Sequence, residues 1–298
     1  MTDYRSHRFR SADGRLDLFA RDYPGTDSAA RPLLLIHALT RNSADFEPLI
    51  DWLGGRYRLV VPDVRGRGLS DRDPEPAHYN PAVYAEDMFA LMDDLGIDSA
   101  GLIGTSMGGL IAMAMAAMDR GRSRDLPPRV GPVIMNDVGA HLEPDALARI
   151  ASYVGKSPAF ADWDEAAAGC RAVNGPVFPD FTDADWMEFA RRTCRDTADG
   201  VAYDYDPAIA VPFEAGNESG NGEVDLWPVW RAMDGLPVLV VRGVMSDLLS
   251  AATVAEMDRT HEGPFASVDV PLRGHTPLLN EPAARKAIET FLTEHYPV

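Results

Sequence analysis

The sequence predicts an α/β protein: a mainly parallel sheet flanked by helices, with one long, mostly helical insertion. Three observations predict it. From about residue 32, short apolar runs alternate with amphipathic stretches, as in strands buried on both faces and separated by helices. A tight Gly-x-Ser-x-Gly turn, Gly104 to Gly108, stands directly between one such strand and one such helix. Between about residues 140 and 232 the rhythm fails, and aromatic residues, among them Trp163, Phe178, Phe181, Trp186, Tyr203, Tyr205, Trp227 and Trp230, occur among Pro, Gly and helical patches. A structureless loop of that size is implausible in a compact domain. The expected organisation is therefore a core of residues 1–139 and 233–298 with a cap of residues 140–232.

The elements follow in order. Two polar-apolar stretches around Arg8 and Leu18 read as an antiparallel hairpin at the sheet edge, and Pro32 to Ile36 as a buried strand. Phe46, Leu49, Ile50 and Leu53 recur at helical spacing, and Arg58 to Val61 is the next strand, ending at Pro62-Asp63. Asn80-Pro81 pairs a capping residue with proline at the first helical position. That helix runs towards Gly96 and turns Val83, Met88, Leu91, Met92 and Leu95 inward. Gly101 to Ile103 is a strand feeding the Ser106 turn, and a small-residue helix, Leu110 to Met118, leaves it. Val130–Met135, Pro237–Val241 and Phe265–Val270 are further strands, and Pro282–His295 is the closing helix. Gly216 to Gly222 is the expected flexible loop.

Composition narrows the function classes. The chain has 298 residues, 46% of them hydrophobic, enough for one large α/β domain with a sizeable core. A net charge of −18 with no Lys/Arg-rich stretch argues against nucleic acid and anionic lipid as partners. No apolar run approaches the roughly 20 residues of a membrane span. The polar start, Met1 to His7, lacks a secretory apolar stretch, so a cytoplasmic location is expected. Cys170 and Cys194 make no disulfide framework, and neither they nor the seven histidines show metal-ligand spacing. No metal is expected.

The chemistry centres on Ser106. A strand-turn-helix that presents a serine at a helix N-terminus places it where free N–H groups favour developing negative charge. Its neighbours two residues away must lack bulk, and Gly104 and Gly108 do; Gly109 gives further room for helix-strand packing. A serine hydroxyl needs a base, and His275, just after the last strand, is the candidate. The base needs a carboxylate. Asp247, after the Pro237–Val241 strand, is expected to supply it, with Asp137 at the end of the Val130–Met135 strand as its rival. An oxyanion site requires backbone donors, expected at Met107 N–H and Leu39 N–H, with Ala38 the alternative to Leu39. His37 is expected to brace that loop.

Five segments then resemble the α/β-hydrolase superfamily in its order: His37-Ala38-Leu39, Asp63 to Ser70, Gly104 to Gly109, Gly243-x-x-x-Asp247 and Gly274-His275-x-Pro277. The resemblance spans nearly the whole chain. It implies a mainly parallel, roughly eight-stranded sheet with a lid, hydrolysis of the carboxylic-ester type by Ser106, His275 and Asp247, and no cofactor. It makes residues 63–70 a structural turn, with no chemistry for Arg65 or Arg67. The substrate it implies is a small-molecule ester or lactone. Family members that hydrolyse carbon–carbon bonds of ring-cleavage products carry asparagine and tryptophan where this chain has Thr105 and Thr276, so that activity is the second reading. A ligand receptor on the same fold is the third. Ala38 replaces a usual glycine, and Ser106 argues against the aspartate-nucleophile haloalkane and epoxide hydrolases. Cofactor-free haloperoxidases share the Ser106 motif but usually carry an aromatic residue where Leu39 stands.

Overall fold

The computed structural model describes residues 3–27, 29–123, 125–156, 159–212 and 225–298. The Gly216–Gly222 loop lies outside the described residues. Eight strands form one sheet in the order β1-β2-β4-β3-β5-β6-β9-β10. They are β1 (Arg5–Arg10), β2 (Asp17–Tyr23), β3 (Pro32–Ile36), β4 (Arg58–Asp63), β5 (Ala100–Thr105), β6 (Val130–Asn136), β9 (Val238–Gly243) and β10 (Phe265–Val270). The β1–β2 and β2–β4 pairs are antiparallel and the remaining pairs parallel, so the hairpin occupies one edge as the sequence predicts.

The inner strands β3, β5, β6 and β9 are largely apolar and buried because both of their faces are covered. Leu34, Ile36, Val60, Leu102, Val133 and Val240 join one buried cluster with the inner faces of α2 (Pro81–Asp94) and α3 (Met107–Arg120). Their strand neighbours Leu33, Leu35, Leu59, Ile103, Ile134 and Val241 join a second cluster on the opposite face, against α1 (Glu47–Leu53) and the closing helix Pro282–His295. The period of two along each strand sends alternate residues to opposite faces. Asn80 caps α2 as its sequence implies: its side chain accepts from Ala82 and Val83 N–H, a contact worth about 1 kcal/mol.

Between β6 and β9 the chain leaves the sheet. The interval holds α4 (Pro144–Tyr153), α5 (Trp163–Asn174) and α6 (Asp183–Thr193). It also holds a two-stranded hairpin, β7 (Cys194–Thr197) with β8 (Gly200–Tyr203), which the sequence reading did not include. Its own apolar cluster contains Cys170, Phe178, Trp186, Phe189 and Cys194. Four of its aromatic residues pack on one another: Phe178, Phe181, Trp186 and Phe189 have ring centroids 4.5 to 6.4 Å apart. After β9 come α7 (Ala251–Thr260) and, past β10, α8 (Pro282–His295). Among the described residues no helix is long and apolar enough to cross a membrane.

Candidate active site

Parallel strands end on one side of the sheet, so the loops leaving β3, β5, β6, β9 and β10 gather there. Ser106 occupies the turn from β5 into α3 at φ 51° and ψ −111°. A positive φ costs a non-glycine residue on the order of 1–3 kcal/mol, which the surroundings must over-determine. Here they do. A Cβ on Gly104 would lie 2.4 Å from the Gly108 carbonyl, and one on Gly108 would lie 2.0 Å from the Ile36 carbonyl oxygen. Only glycines let β5, α3 and the end of β3 approach so closely. Ser106 N–H also donates to Asn136 O at the end of β6, at 2.9 Å.

The loop after β10 brings His275 Nε2 to 2.8 Å from Ser106 Oγ. On its other side, His275 Nδ1 lies 2.8 Å from a carboxylate oxygen of Asp137. The residues expected as nucleophile and base therefore meet, but the expected acid does not join them. Asp247 turns away: Arg149 of α4 donates to both its oxygens, at 2.6 and 2.8 Å. Burial works to raise the Asp247 pKa, but hydrogen bonds and charge from Arg149 outweigh it and hold the carboxyl below its ordinary value. The carboxylate against His275 is the rival, Asp137, immediately after β6.

The local reason is visible in the other Asp137 contacts. Asp137 is fully buried and has φ 55°, which folds its side chain back towards the neighbouring strand. Oδ1 accepts from Gly243 N–H at 2.8 Å, and Oδ2 accepts from Ser246 Oγ at 2.6 Å as well as from His275. Strands β6 and β9 are adjacent, so the end of β9 supplies two donors to a carboxylate carried by β6. The signal in the sequence was Gly243-x-x-Ser246, one residue short of Asp247. Because Oδ2 accepts from Nδ1–H, Nε2 is left free to take the Ser106 proton, the arrangement that turns a hydroxyl into a nucleophile.

The loop after β3 faces the same turn. His37 is fully buried; its Nδ1 lies 2.7 Å from Ala38 O, and its Nε2 accepts from Val64 N–H at 3.0 Å. Burial pushes its pKa down to about 3, so the ring is neutral and Nδ1–H is the donor to Ala38 O. In a trans peptide C=O and N–H point in opposite directions. Fixing Ala38 O therefore fixes the direction of Leu39 N–H. Among the described residues neither Leu39 N–H nor Met107 N–H has a hydrogen-bond acceptor.

Ser106, His275, Leu39 and Met107 all border one cavity of about 860 Å³. Its walls are mostly apolar: Leu110 and Met113 from α3, and Leu142, Leu147, Phe189 and Val229 from the 140–232 interval. Tyr203 and Tyr205 also line it, whereas Trp163 and Trp186 do not. Trp186 lies in the aromatic cluster, and Trp163 donates to Asp196 beneath the Arg191 guanidinium. Among the described residues no three His, Cys, Asp or Glu side chains converge in a metal-binding group.

Residues 31–263 match the family model described as the alpha/beta hydrolase fold. The chain is 36% identical to a 3-hydroxybutyrate-oligomer hydrolase of Cupriavidus necator, over 90% of each chain. It is 30% identical to a 2-(acetamidomethylene)succinate hydrolase of Mesorhizobium japonicum, over 83% of this chain and 81% of that one. Among solved structures it resembles an alpha/beta hydrolase from Novosphingobium aromaticivorans, with 38% identity and a TM-score of 0.86 over 98% and 99% of the two chains.

Proposed function

Because the chain belongs to the α/β-hydrolase fold family, we propose that it is a serine hydrolase of carboxylic esters, with Ser106, His275 and Asp137 as its catalytic residues. The observation that carries this reading is the unbroken chain from Ser106 Oγ through the His275 ring to Asp137, set in the wall of an apolar cavity. Ser106 attacks the substrate carbonyl as His275 Nε2 takes its proton. Asp137 holds the ring in that tautomer and stabilises the imidazolium. Leu39 and Met107 N–H groups receive the tetrahedral oxyanion. His275 then protonates the leaving alkoxide, and a water activated by the same nitrogen releases the acyl group from Ser106. The segment 140–232 serves as a cap that encloses the acyl or alcohol portion.

An ester is favoured over other bonds because the Cupriavidus relative acts on 3-hydroxybutyrate oligomers, which are chains of esters. A linear 3-hydroxyacid oligomer, flexible and largely apolar between its ester groups, suits the cavity walls. The test is release of nitrophenol from a nitrophenyl butyrate and of monomer from a linear 3-hydroxybutyrate trimer, with Ser106→Ala and His275→Ala as controls. Each variant should fold and lose several orders of magnitude in kcat, because the two residues act as one unit. Wild-type turnover by Ser106→Ala would refute the nucleophile assignment. Cleavage of a ring-fission dienoate in preference to either ester would replace ester hydrolysis by carbon–carbon hydrolysis, and binding without turnover would make the protein a receptor.

A further inference from the structure

Two arginines stand in the Asp63–Ser70 turn, and they are treated very differently. Arg65 is fully buried and neutralised: Nε and Nη2 donate to Asp87 at 2.8 Å each, and Nη1 to Asp73 at 2.5 Å. Arg67 is equally buried, at 1% exposure, yet among the described residues no carboxylate lies within ion-pair distance of it. Its guanidinium donates instead to neutral groups: Nε to Leu39 O at 2.9 Å, and Nη1 to Arg65 O at 2.7 Å and to Tyr84 OH at 3.0 Å. The rings of Tyr79 and Tyr84 lie 5.6 and 5.1 Å from its Cζ. Nη2 reaches the Met107 sulfur at 3.5 Å.

A buried charge without a counter-ion is costly, and structures retain one only where something is gained. The contacts indicate the gain. Leu39 and Met107 carry the two N–H groups assigned above to the oxyanion, and Arg67 contacts both residues, at the Leu39 carbonyl oxygen and the Met107 sulfur. We propose that Arg67 is a positioning residue of the oxyanion site, anchoring the Leu39 carbonyl and holding beside Leu39 and Met107 a positive charge that no described carboxylate pairs. This inference rests on the serine-hydrolase reading. His37, the other buried titratable group on this loop, is neutral and adds no charge of its own, and Arg67 is one of the charges that keep it so. Arg41, nearby on the same loop, is paired with Asp45. In a site screened from water, a fixed charge favours the anionic tetrahedral state over the neutral ester, so its influence falls on kcat rather than on KM.

The experiment compares Arg67→Met, Arg67→Gln and Arg67→Lys by kcat and KM on nitrophenyl butyrate and by inhibition with butylboronic acid. The boronate forms a tetrahedral anion on Ser106 and reports affinity for that charge. Met and Gln variants should lose at least tenfold in kcat, about 1.4 kcal/mol, with boronate inhibition weakened in parallel and KM moved less than about threefold. Lysine, which keeps the charge but loses the planar fork that anchors Leu39 O, should recover only part of the loss and stay several-fold below wild type in kcat and in boronate affinity. A merely structural arginine would move KM and kcat together and leave the ratio of boronate to substrate affinity unchanged; that result overturns the proposal. If the two neutral variants do not fold, the lysine variant decides: a selective loss of boronate affinity supports the role, and wild-type behaviour assigns the arginine to the fold and refutes it. Retained activity in Ser106→Ala overturns the hydrolase reading and this inference with it, whereas a dead Ser106→Ala beside an unaffected Arg67→Met defeats the inference alone.

Discussion

Replacing Asp137 by asparagine should cripple the enzyme, and the hydrogen bonds around it say how. Oδ1 accepts from Gly243 N–H, a backbone donor that cannot reverse. The asparagine carbonyl must therefore take the Oδ1 position, leaving its NH2 at Oδ2 facing Ser246 Oγ and His275 Nδ1. Ser246 can turn its hydroxyl to accept, but His275 accepts at Nδ1 only by moving its proton to Nε2. That ring then presents N–H to Ser106 Oγ and cannot take its proton. The corresponding change in a serine protease lowers kcat about 10⁴-fold, equivalent to about 5.5 kcal/mol of barrier, and the same loss is expected here.

Asp247→Asn provides the contrast. It removes only the ion pair with Arg149, whose side chains are 37% and 46% exposed, and such pairs are worth about 0–1 kcal/mol. Turnover should remain within about threefold of wild type. The Asp247 pKa lies below its ordinary 3.8, so the stability it contributes is complete above that pH and is lost only as pH falls through the lower, folded value. The pH–rate profile of Asp247→Asn between pH 6 and 9 should thus overlay that of wild type. Both variants are measured on one nitrophenyl ester, with circular dichroism to confirm folding. A crippled Asp247→Asn beside a near-normal Asp137→Asn would refute the reasoning.

Two further outcomes follow from packing. Gly108→Ala would place its Cβ 2.0 Å from the Ile36 carbonyl oxygen, so it should abolish both turnover and recovery of folded protein, checked by soluble yield and kcat. Trp186→Ala, in a cluster with Phe178, Phe181 and Phe189, should cost about 3–5 kcal/mol in denaturant unfolding yet leave the ratio of acetate to octanoate ester hydrolysis unchanged; Leu110→Trp, inside the cavity, should shift that ratio towards acetate without comparable destabilisation.

The parts of the molecule legible in the sequence are those where local chemistry and global position agree. Pro32–Ile36 reads as a buried strand and is one, because five apolar residues admit no solvent-facing side. Asn80-Pro81 marks a helix start, and Gly104-x-Ser106-x-Gly108 a strained turn, because few other residues fit those backbones. The 140–232 interval was legible only as a departure from the rhythm. Its hairpin, Cys194–Tyr203, is two four-residue strands containing charged and small residues, too short for alternation to declare itself. Its aromatic residues gave no indication of which would border the cavity, as Phe189, Tyr203 and Tyr205 do, since core and lining positions take the same residues.

The carboxylate that meets His275 was not legible for a different reason. Asp137 and Asp247 both follow strands, both precede His275, and those strands are neighbours, so topology allows either to reach the ring. What separates them is where each side chain finds donors. The end of β9 offers Gly243 N–H and Ser246 Oγ inward, and Asp137, turned by its positive φ, receives both; Asp247, one residue past Ser246, points outward to a guanidinium from α4. A carboxylate held by Gly243 N–H and Ser246 Oγ arrives at His275 already oriented, whereas one bound through both oxygens to Arg149 would first have to exchange that partner. On the proposed assignment the loop after β9 contributes through its glycine and serine, which hold the Asp137 carboxylate, rather than through Asp247.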